Sequence, residues 1–208
     1  MFAQVESGSI TSFPKGNKGI QIGDNNYPRT IYTLWTESER NAIGIYTVEI
    51  DETNRKDEAW YINTDITYAF GSGKVTGSYG TATAKKHADT TWTQAQIDDA
   101  SLVGQAPDGA DTNTVRLEGL KTVLIRNVKL QAEGILKETD WYITRKAEKS
   151  TAIPSAITTH RDAVRTKQAS METAITNASD TPALETLYTF TKQEDGSVTR
   201  PLGVLPTL

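Results

Sequence analysis

The sequence predicts an α+β fold: a β-rich N-terminal domain, then a helical hairpin module, then a short C-terminal β and extended tail. Two observations carry this. Before about residue 85, apolar residues alternate with period two, as in Ile20-Gln21-Ile22 and Ile66-Thr67-Tyr68-Ala69-Phe70. Beyond about Asn113, Leu117, Leu120, Leu124 and Val128 step by three, four and four, the period of a helix face. The boundaries that follow are a β-rich domain over 1–85, a linker with a short helix over 86–112, the helical hairpin over 113–178, and a short helix, hairpin and extended tail over 179–208.

The β half reads in order. Phe2 to Glu6 and Ile10 to Phe13 flank Ser7-Gly8, a hairpin turn. Ile20 to Ile22 is a half-buried strand broken by Gly23-Asp24-Asn25-Asn26, and Ile31 to Leu34 is a further strand. Thr36-Glu37-Ser38-Glu39 fits a capping box and predicts a short helix over about 37–42. Ile43 to Ile50 reads as strand, followed by a polar turn over Asp51 to Asp57 and β-forming residues at Ala59 to Ile62. Gly71-Ser72-Gly73 joins Ile66 to Phe70 and Lys74 to Tyr79 as a hairpin, and Gly80 to Asp89 reads as a linker or extended edge.

The second half reads as helix. Trp92 to Ala100 holds a short one, and Gly104 to Asp111 contains the turn Pro107-Asp108-Gly109. A long helix is expected over Asn113 to Leu136, its face widened by Val123 and Leu130, with Gly119 and Gly134 as weak points. A connection over Trp141 to Ala152 leads to a second long helix capped by Ser155, with Ile157, Val164, Met171 and Ile175 as its stripe and Arg161 and Gln168 in the intermediate steps. Asp180-Thr181-Pro182 opens a third helical turn, Tyr188-Thr189-Phe190 alternates like a strand, and Asp195-Gly196 is a hairpin turn.

Composition narrows the function classes. The net charge of −4 lacks the basic footprint of a nucleic-acid binder and would not draw the chain to an anionic membrane. There are no cysteines, which excludes disulfides, thiol catalysis and thiolate metal sites. No apolar run is long enough for a transmembrane helix, and Met1 to Glu6 lacks the pattern of a signal peptide.

No motif supplies chemistry. Gly71-Ser72-Gly73-Lys74 lacks the leading glycine and trailing hydroxyl of a phosphate-binding loop. His87 and His160 have no zinc-ligand spacing, and the loops at Asp24 and Asp108 lack calcium-loop spacing. No catalytic residue, cofactor or metal is therefore expected.

One segment is more informative: Leu136-Lys137-Glu138-Thr139-Asp140-Trp141-Tyr142, then Arg145-Lys146, then Ala152-Ile153-Pro154, then Arg161-Asp162-Ala163-Val164-Arg165. On physical grounds Trp141 and Tyr142 anchor the connection onto the hairpin, with Trp141 mostly buried. This order resembles the C-terminal module of bacteriophage tail-fibre assembly chaperones and related tail proteins, over roughly Asn113 to Ala178. The resemblance implies that Trp141, Pro154, Arg161 and Arg165 serve fold and partner contact. It further implies a non-enzymatic tail component, in the baseplate or the tail-fibre attachment region, whose partners are other tail, baseplate or fibre proteins in a hetero-oligomeric assembly. Its location would be the virion tail. The alternative is an assembly chaperone in the host cytoplasm that the particle does not retain. Exposed strand edges in the first half would offer a second contact by strand addition. In the tail, Leu202 and Leu205 are expected anchors, docking on a neighbour or on the same chain.

Overall fold

The computed structural model describes residues 1–99 and 105–208, and the chain divides into two compact units, Met1–Thr83 and Ala84–Leu208. The α+β class is as the sequence predicts, with the sheet in the first unit and the long helices in the second.

The first unit is a mixed sheet. Strands β1 (Phe2–Glu6), β2 (Ser9–Ser12), β3 (Ile20–Ile22) and β4 (Asn25–Tyr27) precede helices α1 (Ile31–Leu34) and α2 (Glu37–Ala42). Then come β5 (Ile45–Asp51), β6 (Tyr61–Ile62), β7 (Ile66–Gly71), β8 (Lys74–Tyr79) and β9 (Thr83–Ala84), the last at the junction of the units. The five-stranded sheet has the order β2-β1-β5-β8-β7, antiparallel except for the parallel pair β5/β8. Alternation sorts side chains onto two faces. Ala3 lies opposite Tyr46, and Val48 opposite Val75, so these join Val5, Ile10 and Phe70 in one cluster. Phe2 and Ile45 point the other way, into a cluster with Ile20, Ile22, Ile31 and Tyr32. The edge strands β2 and β7 approach one another, and the Phe13 and Tyr68 rings meet at 4.7 Å beside them. The edges read as open for strand addition thus face each other.

Local signals explain most of these elements. The β7/β8 turn places Ser72 and Gly73 at φ 53° and 74°, the left-handed pair that a tight hairpin needs. In the capping box of α2, the Thr36 hydroxyl accepts from the Glu39 N–H, and the Glu39 carboxylate accepts from the Thr36 N–H at 2.7 Å. The Thr36 N–H, and after it the Thr36 hydroxyl, donate to that carboxylate and hold it below its ordinary pKa. Two expectations need correction. Ile31 to Leu34 is helix α1 and not a strand: a helical turn lets the adjacent Ile31 and Tyr32 both reach the core, whereas a strand would send them to opposite faces. Gly23-Asp24 does not end the pairing but turns β3 back onto β4.

The second unit contains β10 (Thr90–Thr91), α3 (Gln94–Asp98), β11 (Val115–Leu117), α4 (Leu120–Lys137), α5 (Asp140–Lys149), α6 (Ser155–Asn177), α7 (Thr181–Tyr188), β12 (Thr191–Lys192) and β13 (Val198–Thr199). Ala100, the end of the expected short helix, and Gly104, the start of the expected turn, lie outside the described residues. Helices α4 and α6 form an antiparallel hairpin: Arg161 near the start of α6 reaches the Leu136 carbonyl, and Lys121 near the start of α4 reaches the Thr176 carbonyl. Val128 and Ala132 of α4 are buried, as are Ile157, Val164, Met171 and Ile175 of α6.

Helix α4 begins at Leu120, seven residues later than expected. Val115 to Leu117 pairs instead with β10, which leaves Leu117 exposed. Gly119 is the extended N-cap, and a Cβ there would lie 2.3 Å from the carbonyl carbon of Ala88. The segment read as a linker supplies the partners that the first N–H groups of a helix lack. Asp89 accepts from the Gly119 N–H, Lys86 from that of Leu120, and His87 from that of Lys121. Thr181 further bonds the Lys85 carbonyl.

Further corrections follow downstream. Leu130, expected on the core stripe, is exposed. The connection over Trp141 to Ala152 is mostly helix α5, ended by Ser150 in the left-handed region at φ 53°. Pro154, not Ser155, is the N-cap of α6, because its backbone stays extended at ψ 139° and Ser155 is already helical. Tyr188 closes α7, so only Thr191 and Lys192 pair with β13, around the Asp195-Gly196 turn. The tail does dock, and within its own unit: the Leu202 N–H bonds the Leu187 carbonyl, and Leu202 and Leu205 are both buried.

Candidate protein-contact site

The site lies where α4 ends and α5 begins. A helix C-terminus leaves carbonyls unpaired and carries partial negative charge, while an N-terminus favours an acid. One side chain serves both ends. Arg161, 7% exposed, reaches across from α6 and donates to the Leu136 carbonyl at 2.7 Å and to the Thr139 hydroxyl at 2.6 Å. Its other terminal nitrogen pairs at 2.9 Å with Asp140, the first residue of α5. The buried Thr139 hydroxyl donates in turn to the Leu136 carbonyl. The turn is thereby locked to the hairpin through polar bonds, without an aromatic plug.

That lock sets the direction of the next residues. Trp141 is 51% exposed, contrary to the expected burial. Because α5 continues as a helix, Trp141 falls on its outer side. The Trp141 and Tyr142 rings lie 3.8 Å apart, and the Arg145 guanidinium covers both, at 4.7 and 5.2 Å from their centroids. Ile143 beside them is also exposed.

Of the residues singled out from sequence, the structure brings together Trp141 and Tyr142, while Arg161 holds the turn that precedes them. Pro154 is exposed at the start of α6, and Arg165 pairs with its neighbour Asp162 at 3.3 Å on the surface. Leu202 and Leu205 belong to the tail and not to this cluster. Sequence reasoning did not assign roles to Thr139 and Arg145, and it read Asp140 as ending a helix turn, whereas Asp140 opens α5. The signal for Thr139 and Asp140 was a hydroxyl and an acid between two helical stretches, and Arg145 stands one helical turn beyond Trp141.

The other sequence features are local. Gly71 to Lys74 is a hairpin turn, and Pro107 to Ala110 closes a turn by a backbone bond. Asp111 accepts from the Thr114 hydroxyl and from Asn113, bonds that hold its carboxyl below the usual range. Among the described residues no group of three or more His, Asp or Glu is placed to hold a metal, and no helix is long and apolar enough to cross a membrane. No family model, curated protein or solved structure matches the chain.

Proposed function

We propose that this protein is a non-enzymatic structural component of a tailed-bacteriophage tail, in the baseplate or tail-fibre attachment region, acting through contacts with other tail proteins. The observation that carries the contact role is the half-exposed Trp141 ring, stacked with the partly buried Tyr142 and Arg145. Trp, Tyr and Arg are the residues most enriched where interfaces concentrate their binding energy. A stack held on a pinned helix has already lost its rotamer freedom, which lowers the ordering cost of binding. The phage assignment is supported by the resemblance, over roughly Asn113 to Ala178, to the tail-fibre assembly chaperone module. That same resemblance favours the second reading, an assembly chaperone that leaves before the particle matures.

Quantitative mass spectrometry of purified virions tests both readings. Stoichiometric amounts of this chain in the particle support the structural role. Its absence from particles that nonetheless need it for fibre attachment supports the chaperone. Particles that neither contain nor need it overturn the tail assignment.

A further inference from the structure

A second surface is formed by α4 and the C-terminal tail. A groove of about 500 Å³ is lined by Leu130, Gly134, Ile135, Glu138, Arg200 and Val204. Leu130 and Val204 are 58% and 64% exposed, so its apolar wall meets solvent. Arg200 extends the wall by lying 5.2 Å from the centroid of the exposed Phe190 ring. Gly134 sits inside α4, where glycine costs about 0.5–1 kcal/mol relative to Ala. A Cβ there would meet nothing within 4 Å, so packing inside this chain does not require the glycine. What a glycine on a helix surface provides is close approach of another backbone.

We infer that this groove is a two-fold self-association surface, occupied by α4 and the tail of a second copy of the chain. Charge supports a copy as the occupant. Glu138 and Arg200 line the same groove with opposite signs, and neither forms an ion pair among the described residues. A two-fold axis passing between the two side chains sets Glu138 of one copy against Arg200 of the other, twice. The inference does not depend on the phage assignment, since self-association is measured on the purified chain alone.

Sedimentation velocity of the full chain over a concentration series tests it. The parent is expected to form a dimer. Gly134→Gln should raise the dimer dissociation constant by at least about tenfold, or about 1.4 kcal/mol, with no loss of melting temperature, because the side chain enters open space. Glu138→Arg should do the same, and adding Arg200→Glu should restore the dimer. A parent that stays monomeric throughout overturns the proposal, as does a dimer indifferent to both Gly134→Gln and Glu138→Arg. A monomer that uses this groove to bind a different tail protein overturns it too.

Discussion

Arg161 and Thr139 meet at 2.6 Å across the helical hairpin, and both are buried. The arginine also holds the Leu136 carbonyl and the Asp140 carboxylate, so one side chain fixes the end of one helix and the start of the next. Arg161→Met keeps the volume but leaves the Thr139 hydroxyl and the turn without their donor. Hydrogen bonds to a charged group contribute about 1.5–3 kcal/mol, and a loss of that order is expected in denaturant unfolding. Asp140→Asn should cost less than about 1 kcal/mol, because the carboxylate is solvent-facing. Equal losses from the two would show that the ion pair, and not the buried bonds, holds the turn.

Trp141→Ala is expected to separate binding from folding. The half-exposed ring leaves a smaller void than a core tryptophan, so the melting temperature should fall far less than the loss of about 3–5 kcal/mol for a buried Trp implies. Binding to the proposed tail partner should weaken at least about tenfold, by analogy with interface hot spots. Calorimetry and a partner pull-down on the same variant check the two halves. A collapse in stability with intact binding would make the ring a fold anchor.

Gly119→Ala should be strongly destabilising, since its Cβ would strike the Ala88–Asp89 backbone at the point where Asp89 caps α4. Moving that backbone would also strain the bonds from Lys86 and His87 to the following N–H groups. Gly134→Ala, in the same helix, should instead stabilise by about 0.5–1 kcal/mol. Urea melts of the two variants, read by helical circular dichroism, are expected to shift in opposite directions.

Deleting residues 200–208 removes Leu202, 2% exposed, and the buried Leu205. Burying one such side chain contributes about 1.5–3 kcal/mol. The truncated chain should therefore lose several kcal/mol in its helical unit. Hydrogen exchange should show the loss in α6 and α7 and leave β1, β5 and β8 protected.

Glu39 makes α2 pH-sensitive. Its carboxyl is held below the ordinary value by the Thr36 N–H and then by the Thr36 hydroxyl. A depressed carboxylate stabilises the fold above its unfolded pKa, and that contribution is lost as pH falls through the folded one. The Glu39 side-chain resonance should titrate below the usual glutamate range, and Thr36→Val should return it upward.

Local chemistry was legible in the sequence, and distant pairing was not. The box at Thr36 and Glu39, the turn at Ser72-Gly73 and the Asp195-Gly196 hairpin need only neighbouring residues. Ile31 to Leu34 misled because β-branched and aromatic residues suit a strand, while burial of adjacent side chains required a helix. Leu117 and Leu120 share helical spacing, but Gly119 between them marks the entry of α4, a role visible only once Ala88 packs against it. Trp141 beside a turn suggested a buried plug. Its outward direction depends on α5 being helical and on Arg161, twenty residues on, holding the turn at Leu136, Thr139 and Asp140.

The parallel pairing of β5 with β8 bears on how the first unit comes into being. Val48 cannot find Val75 until the whole intervening segment, including the β7/β8 hairpin, has emerged and turned back. Non-local pairing of this kind slows folding, because loop entropy is lost before any contact compensates. Helices α4 and α6 are each built from bonds between near neighbours and should form sooner, before they pair across as many as 55 residues. Refolding followed by stopped flow should thus show two rates, the helical signal rising first and the environment of Tyr46 and Phe70 maturing later.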